Sequence, residues 1–152
     1  MAKEIERKFL IDRAHPDVIA LIKTRPRHIR QGYIMSGPIA VVRVRTDDEQ
    51  ASLTIKCVTT GISRDEFEYP IPNDDAEHLL TTMCGKVIEK KRYIYQLEGN
   101  LKVELDVFSQ IDLYLAEVEL PSEATIFEKP EWFGEDVSAV PRYFNNNIVD
   151  RI

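Results

Sequence analysis

The 152-residue sequence holds only two cysteines, Cys57 and Cys84. Two are too few for a disulfide framework and their spacing does not match a metal site, so we interpret both as reduced structural thiols. The three histidines, His15, His28 and His78, fall at predicted helix starts or strand edges and are expected on the surface. No Ser-His-Asp or Cys-His arrangement is recognisable, so the sequence offers no nucleophile of that kind.

Long apolar runs are also missing. No run approaches the roughly 20 residues that a membrane span needs, and residues 1–8 contain no apolar signal-peptide core. We therefore expect a cytoplasmic protein that does not bind membranes. The net charge of −6 disfavours nucleic-acid binding as well. A polyanionic ligand would have to be met by a local cluster of lysines and arginines, or through metal ions.

No linker, repeat or low-complexity segment divides the chain, so residues 1–152 are predicted to form a single domain. The dominant hydrophobic period is two, which is typical of strands. Turn signals such as Gly61 and Gly99 separate closely spaced strands and favour antiparallel hairpins. Eight strands are predicted, over residues 3–11, 28–35, 39–46, 51–58, 64–71, 87–97, 101–108 and 113–120.

Helices are predicted to be few. Pro16 suits the first position of a helix over 16–23, and Asn73 suits the N-cap of a helix over 74–84 that ends at Gly85. Shorter helices are predicted after Ser122, after Pro130 and over 142–149. The expected fold class is α+β, with a closed antiparallel β-barrel of about eight strands and a few helices packed outside it.

Carboxylates recur at every second position on four of the predicted strands. Alternate residues share one face of a strand, about 6.5–7 Å apart, so such carboxylates repel one another. That arrangement becomes useful when divalent cations, which prefer several oxygen ligands, sit between them. The four pairs are Glu4 with Glu6, Glu66 with Glu68, Glu104 with Asp106, and Glu117 with Glu119.

Basic residues are grouped on their own strands. They are Lys8, Arg43, Arg45, Lys56, Lys90 and Arg92. A barrel of about eight strands has a bore that holds one small ligand. Arginine forks match phosphate oxygens and lysines add point charge. If the charged faces line such a bore, the ligand that suits both its acidic and its basic side is a compact polyphosphate.

A simpler alternative is that each charged face meets bulk water, as in most antiparallel sheets. The two alternatives differ in where the apolar faces point. In the bore hypothesis they point outward, the helices cover part of them, and an uncovered remainder would suit a homodimer surface.

Several motifs together resemble a known family. The segment Glu4-Ile5-Glu6-Arg7-Lys8 has the E-x-E-x-K pattern of the CYTH, or triphosphate tunnel metalloenzyme, superfamily. Further blocks follow in the same order along the chain, which makes the resemblance specific. They are Arg30-Gln31-Gly32-Tyr33, Arg43-Val44-Arg45, Leu53-Thr54-Ile55-Lys56, Ser63-Arg64-Asp65-Glu66-Phe67-Glu68, Ile88-Glu89-Lys90-Lys91-Arg92-Tyr93, Glu104-Leu105-Asp106, Ala116-Glu117-Val118-Glu119 and Pro141-Arg142-Tyr143.

The resemblance implies a closed tunnel that binds a triphosphate with two Mg²⁺ or Mn²⁺ ions. One ion would orient the phosphate oxygens and the other would lower the pKa of the attacking water. The implied metal ligands are Glu4, Glu6, Asp106, Glu117 and Glu119, with Glu66, Glu68 and Glu104 as further ligands. The implied phosphate-binding residues are Lys8, Arg43, Arg45, Lys56, Arg64, Lys90 and Arg92. The implied catalytic residues are Glu4, Glu6, Lys8, Lys90 and Glu119.

The choice of reaction within the superfamily rests on smaller signs. Members that begin E-I-E-R-K-F-L look like inorganic tripolyphosphatases, which release pyrophosphate and phosphate. Class IV adenylate cyclases carry a His-Phe pair before the E-x-E-x-K pattern, and no such pair precedes Glu4. Tripolyphosphate hydrolysis is therefore the favoured function. Hydrolysis of a nucleoside or thiamine triphosphate, a cyclase reaction and a non-catalytic polyphosphate-binding module stay open as alternatives.

Overall fold

A computed structural model describes all 152 residues. It contains nine strands and three short α-helices. The strands are β1 Ala2–Ile11, β2 Arg27–Ser36, β3 Ala40–Asp47, β4 Gln50–Cys57, β5 Ser63–Pro70, β6 Ile88–Gln96, β7 Lys102–Phe108, β8 Tyr114–Glu119 and β9 Phe133–Asp136. The helices are α1 Pro16–Leu21, α2 Asn73–Thr82 and α3 Asn145–Ile148, with 3₁₀ turns at Pro141–Tyr143 and Val149–Arg151.

Eight of the strands close into an antiparallel barrel, which confirms the predicted fold class. The order around the barrel is β5, β4, β3, β2, β6, β7, β8 and β1, and pairing of β5 with β1 closes the ring. The ninth strand, β9, pairs with the second half of β1. None of the helices has the length and apolar composition required to span a lipid bilayer.

Both longer helices begin close to their predicted starts. Pro16 occupies the start of α1, and the ring of His15 caps that helix by accepting from the backbone N–H of Asp17. The predicted N-cap role of Asn73 is wrong. Pro72 occupies the cap position, and the Asn73 amide instead donates to the backbone carbonyl of Glu49.

Two of the shorter predicted helices are wrong. The residues after Ser122 form a turn in which the Ser122 and Thr125 hydroxyls bond each other, and those after Pro130 form β9. The reason lies in β1, whose second half offers an unpaired edge that Phe133–Asp136 covers. Helical turns over 141–151 agree with the prediction for 142–149.

The apolar faces of the strands point outward and are largely covered. Phe9 and Leu105 belong to the largest hydrophobic cluster, together with Val18 of α1 and the fully buried Trp132. Trp132 packs edge-to-face on Tyr95, so it anchors the C-terminal part of the chain on the barrel.

Helix α2 covers a second part of the barrel wall. Its residues Ala76 and Leu80 pack with Val44 of β3 in a separate cluster. Gly32 on β2 permits this contact, because a Cβ there would lie 2.6 Å from the Cβ of Cys84. The helix can therefore sit directly on the strand.

Removal of the Phe9 ring tests the outward core. Phe9→Ala should lower the free energy of unfolding by about 3–5 kcal/mol, since the ring is 0% exposed. Denaturant unfolding followed by tryptophan fluorescence measures this loss. Ile126→Ala is the control: Ile126 is 95% exposed, so its change should stay within about 0.5 kcal/mol. Equal effects of the two substitutions would contradict the described packing.

Candidate functional site

The inward-facing side chains of β1–β8 line a polar bore. Its wide half has a volume of about 920 Å³ and is lined by 21 residues, of which two are hydrophobic. Its narrow half is much smaller, about 70 Å³. The residues that line both halves are Glu4, Glu6, Arg43, Arg45, Lys56 and Glu117. The charged faces therefore look inward, as the bore hypothesis predicted, rather than into bulk water.

Most of the predicted site residues meet in this bore. Those that line it are Glu4, Glu6, Lys8, Arg43, Arg45, Lys56, Arg64, Glu66, Glu68, Arg92, Glu104, Glu117 and Glu119. The two exceptions are Lys90 and Asp106, whose side chains are 0% exposed and line neither half. Alternation along the strands explains the grouping, because residues two apart share the inner face.

Strand register places carboxylates directly opposite one another. Glu6 of β1 faces Glu119 of β8, and Glu104 of β7 faces Glu117 of β8. Like charges directly opposite in an antiparallel pair destabilise it. Burial, reinforced by Glu117 and Glu4, raises the pKa of Glu6 to about 7. Burial and neighbouring carboxylates, led by Glu4, also raise the pKa of Glu119.

Several of the other carboxylates are paired with cations. Lys56 Nζ lies 2.7 Å from a carboxylate oxygen of Glu4, and Lys8 Nζ lies 3.4 Å from one of Glu117. Burial opposes the charge on Lys8, but Glu117 and Glu6 outweigh it and raise the pKa of Lys8. No three His, Cys, Asp or Glu side chains are gathered closely enough to hold a metal ion as they stand.

Asp106 lies on the inner face of β7, two residues beyond Glu104, where it is fully buried and binds two of the predicted phosphate-binding residues. One of its oxygens lies 2.7 Å from Arg92 Nε, and the other lies 2.7 Å from Lys90 Nζ and 2.8 Å from Arg92 Nη2. Burial opposes its charge, but Arg92 and Lys90 outweigh it and lower the pKa of Asp106. In this structure Asp106 orients two cations, and its predicted role as a metal ligand stays a prediction.

Arg43 and Arg45 are weakly neutralised cations of the bore: a Glu68 carboxylate oxygen lies 3.8 Å from Arg43 Nη2, and none lies within 4.0 Å of the Arg45 guanidinium. Arg43 Nη2 donates to the Thr54 hydroxyl, while its Nε is buried without a hydrogen-bond partner. The Arg45 guanidinium donates to the amide oxygen of Gln31. Burial and the charges of Arg43 and Arg92 lower the pKa of Arg45 to about 10, so it stays charged at neutral pH. Buried, weakly matched cations of this kind suit an anionic ligand.

The narrow end of the bore changes from charged to apolar. Ile88 continues the face of Lys90, and Leu115 continues that of Glu117; both join a buried cluster with Ile148 of α3. The carbonyl oxygen of Tyr143 also accepts from Lys8 Nζ, at 3.0 Å. The C-terminal segment therefore occupies this end of the barrel. Arg142 is exposed and lines neither half.

Sequence reasoning missed three polar residues at the narrow half. Tyr33 of β2 and Asn145 of α3 line it, and the fully buried Gln31 shares the face of Tyr33 and bonds both residues. The period of two along β2 could have revealed Gln31 and Tyr33, since they continue the alternation from Ile29. No pattern in the sequence pointed to Asn145, because its place depends on the fold of the C-terminal segment.

Comparison with known proteins matches this architecture. The model of the CYTH domain family matches residues 2–150. An inorganic triphosphatase of Acetivibrio thermocellus is 43% identical over 152 residues, covering 98% of this chain and 94% of that protein. An inorganic triphosphatase of Nitrosomonas europaea is 37% identical over 150 residues, covering 95% of each chain.

A solved structure is similar as well. The crystal structure of an inorganic triphosphatase superposes with a TM-score of 0.65 and 33% identity, covering 98% of this chain and 95% of that one. A family model that spans nearly the whole sequence, together with relatives of this identity, shows the family. The chain belongs to the CYTH domain family.

Proposed function

We propose that this protein hydrolyses inorganic tripolyphosphate to pyrophosphate and phosphate with the help of a divalent cation. The observation that carries the proposal is the two-sided bore, in which opposed carboxylates face a set of weakly neutralised arginines. The similarity to proteins named inorganic triphosphatases supports it.

The composition of the wide half favours an inorganic substrate. Its lining contains charged and amide side chains but no Phe, Tyr or Trp. Stacking on an aromatic side chain is worth about 1–3 kcal/mol per base, so a nucleobase or the rings of thiamine would gain little there. The same observation makes nucleoside triphosphates, thiamine triphosphate and a cyclase reaction weaker alternatives.

The opposed carboxylates fit a divalent cation. Burial and, after it, the neighbouring carboxylates raise the pKa values of Glu6 and Glu119, and a bound cation would relieve the repulsion between these carboxylates. Glu4, Glu6, Glu104, Glu117 and Glu119 are the residues that would hold it, with Glu66 and Glu68 further along the wall. When bound, Mg²⁺ or Mn²⁺ supplies charge neutralisation and a lowered pKa for water.

The chain's own residues would do the remaining work. Arg43 and Arg45 would bind phosphate oxygens of the substrate, and Lys56 and Arg92 would add positive charge along the wall. Preorganised cations of this kind stabilise the charge that develops on the equatorial and leaving oxygens during phosphoryl transfer. The buried carboxylate of Asp106 would hold Arg92 and Lys90 in place through its hydrogen bonds to both.

Further parts of the proposal are supported by the amino-acid sequence alone. The use of two ions, a cytoplasmic location and the absence of nucleic-acid and membrane partners are expectations from the motifs, charge and composition. A homodimer is a further expectation, for which exposed Met35, Ile39 and Val58 are candidate surface residues.

Phosphate release should depend on metal and on the substrate. Tripolyphosphate with Mg²⁺ or Mn²⁺ should yield phosphate, and excess chelator should abolish the release because the carboxylates then lack their cation. The assay should compare tripolyphosphate, ATP, GTP and thiamine triphosphate under the same conditions. Full activity in chelator, or faster hydrolysis of an organic triphosphate, would overturn the proposal. Tight binding without turnover would indicate the polyphosphate-binding module instead.

Arg43→Ala should reduce kcat/KM for tripolyphosphate by about 10- to 150-fold. The reason is that one charge-assisted hydrogen bond to phosphate is worth about 1.5–3 kcal/mol. Steady-state kinetics measure the effect. Arg30→Ala is the matched control, because Arg30 lies on the outer face of β2 and pairs with the exposed Glu77. A kcat/KM of Arg43→Ala equal to that of the control would remove Arg43 from the site.

Relative to Glu6→Gln, the wild type without metal should lose stability as pH rises through the range in which Glu6 loses its proton. The pKa of Glu6 is about 7 in the folded state and lies above the ordinary glutamate value of 4.5, so the folded state holds the proton more tightly and loses that advantage between these pH values. Thermal unfolding in chelator at pH 5.5 and pH 8 measures this. Glu6→Gln should be the more stable form at pH 8, by on the order of 2 kcal/mol.

Thermal unfolding of the wild type and Glu6→Gln should also be measured with Mg²⁺. At pH 8 the ion should raise the melting temperature of the wild type more than that of Glu6→Gln, because it binds the ionised carboxylates. Glu98→Gln in the exposed β6–β7 turn is the control and should follow the wild type. Identical pH and Mg²⁺ dependence of the wild type and Glu6→Gln would contradict the crowding of carboxylates around Glu6.

A further inference from the structure

Two amide side chains connect the C-terminal segment to the cations of the bore. Gln31 is 0% exposed, and its amide nitrogen donates to the Tyr33 hydroxyl at 3.0 Å and to the amide oxygen of Asn145 at 3.3 Å. The nitrogen of Asn145 in turn donates to Glu117, at 3.3 Å. Both amide nitrogens therefore face acceptors.

The amide oxygens face cations. The oxygen of Gln31 accepts from Nε and Nη2 of Arg45 at 3.0 and 2.7 Å. The oxygen of Asn145 accepts from Lys90 Nζ at 3.1 Å. Because Tyr33 and Asn145 take up the nitrogen of Gln31, its amide has one satisfied orientation, with the oxygen towards Arg45.

Arg45 differs from Lys56 and Arg92 because its hydrogen-bond acceptor is a neutral amide rather than a carboxylate. Lys56 lies 2.7 Å from Glu4, and Arg92 lies 2.7 Å from Asp106, so a carboxylate offsets each of these charges. No carboxylate oxygen lies within 4.0 Å of the Arg45 guanidinium. A neutral amide fixes the direction of a guanidinium while leaving its full charge for an anionic ligand.

We propose that Gln31 is a positioning residue that aims the unneutralised guanidinium of Arg45 at a phosphate group of the substrate, and that Asn145 locks the orientation of the Gln31 amide. The inference rests on the proposed function, because it assumes that a polyphosphate enters the bore. It gives a role in substrate binding to Gln31 and Asn145, which lie outside the E-x-E-x-K motif and are not among the predicted metal ligands. It also gives the C-terminal segment a part in substrate binding.

Gln31→Glu is the sharpest test, because it keeps the shape of the side chain and adds one negative charge beside Arg45. The introduced carboxylate would pair with the guanidinium and cancel the charge that the substrate needs. We expect the affinity for tripolyphosphate, measured by calorimetry in chelator to prevent turnover, to fall at least about tenfold, equivalent to about 1.4 kcal/mol. In kinetics with Mg²⁺, KM should rise by a similar factor with a smaller change in kcat.

Gln31→Met separates positioning from charge. It is uncharged and similar in length, so Arg45 keeps its charge but loses the group that aims it. This variant should lose kcat more than affinity, which is the opposite split from Gln31→Glu. A merely structural role for Gln31 would instead make Gln31→Met the worse variant in every measurement, because it removes all the hydrogen bonds of a buried amide.

Asn145→Asp repeats the test from the other side of the amide pair. It places a carboxylate oxygen where the Asn145 nitrogen donates to Glu117, and repulsion between the two carboxylates should turn the side chain away from the Gln31 amide and so weaken tripolyphosphate binding. Asn147→Asp is its matched control in the same helix, because Asn147 bonds the carbonyl of Pro141 outside the bore. Gln96→Glu, on the exposed end of β6, is the control for Gln31→Glu.

The outcomes distinguish this inference from the proposed function. Wild-type affinity in both folded Gln31→Glu and Asn145→Asp would overturn the inference while leaving the hydrolysis intact. A wild-type protein that binds tripolyphosphate without hydrolysing it would overturn the proposed function, yet weakened binding by Gln31→Glu would still support the role of the amide. If Gln31→Glu does not fold, as judged by thermal unfolding, then Asn145→Asp against Asn147→Asp decides the question alone.

Discussion

The structure depends on one constraint: ionised side chains at alternate positions of eight strands share the inside of a closed barrel. Charges in such a space are costly unless they are paired, hydrated or bound to a ligand. Lys8, Lys56 and Arg92 meet this requirement through carboxylates. Glu6, Glu119 and Arg45 do not, and their pKa values are displaced in the direction that neutralises them. These groups are therefore the ones that a polyanion and a cation would stabilise.

The remaining architecture follows from this inward placement. Because the bore is polar, the apolar faces of the strands have to be buried outside, where α1, α2 and the segment around Trp132 cover them. The bore is not uniform along its length. Towards its narrow end the inner face becomes apolar at Ile88 and Leu115, and α3 completes a small core there with Ile148. The charged chamber is therefore bounded by ordinary hydrophobic packing at one end and open at the other.

Most of the fold is predictable from the sequence because polar and apolar residues alternate clearly along the barrel strands. Residues 4, 6 and 8 were predicted to share a face from spacing alone, and the structure places all three side chains in the bore. Errors occurred where tertiary contacts decide local structure. The segment after Pro130 became a strand because β1 offered it an edge, and Asn73 lost its cap role to a contact with Glu49.

The sequence predicts which residues lie inside the barrel but not which side chains bind one another there. Spacing placed Asp106 beside Glu104, yet only the register of β6 against β7 shows that Asp106 binds Arg92 and Lys90. The amide pair of Gln31 and Asn145 joins residues 114 positions apart, which no local pattern reveals. A long-range contact of this kind depends on how the C-terminal segment folds back on the barrel. That is why the neutral support of Arg45 became visible only in three dimensions.

A crystal structure of the protein with tripolyphosphate and Mn²⁺, with the metal located by its anomalous signal, tests whether the charged bore is the binding site. We expect phosphate density between Arg43 and Arg45 and the metal among Glu4, Glu6 and Glu119, all inside the barrel. Ligand and metal bound on the outer surface, with the bore holding water alone, would contradict this expectation.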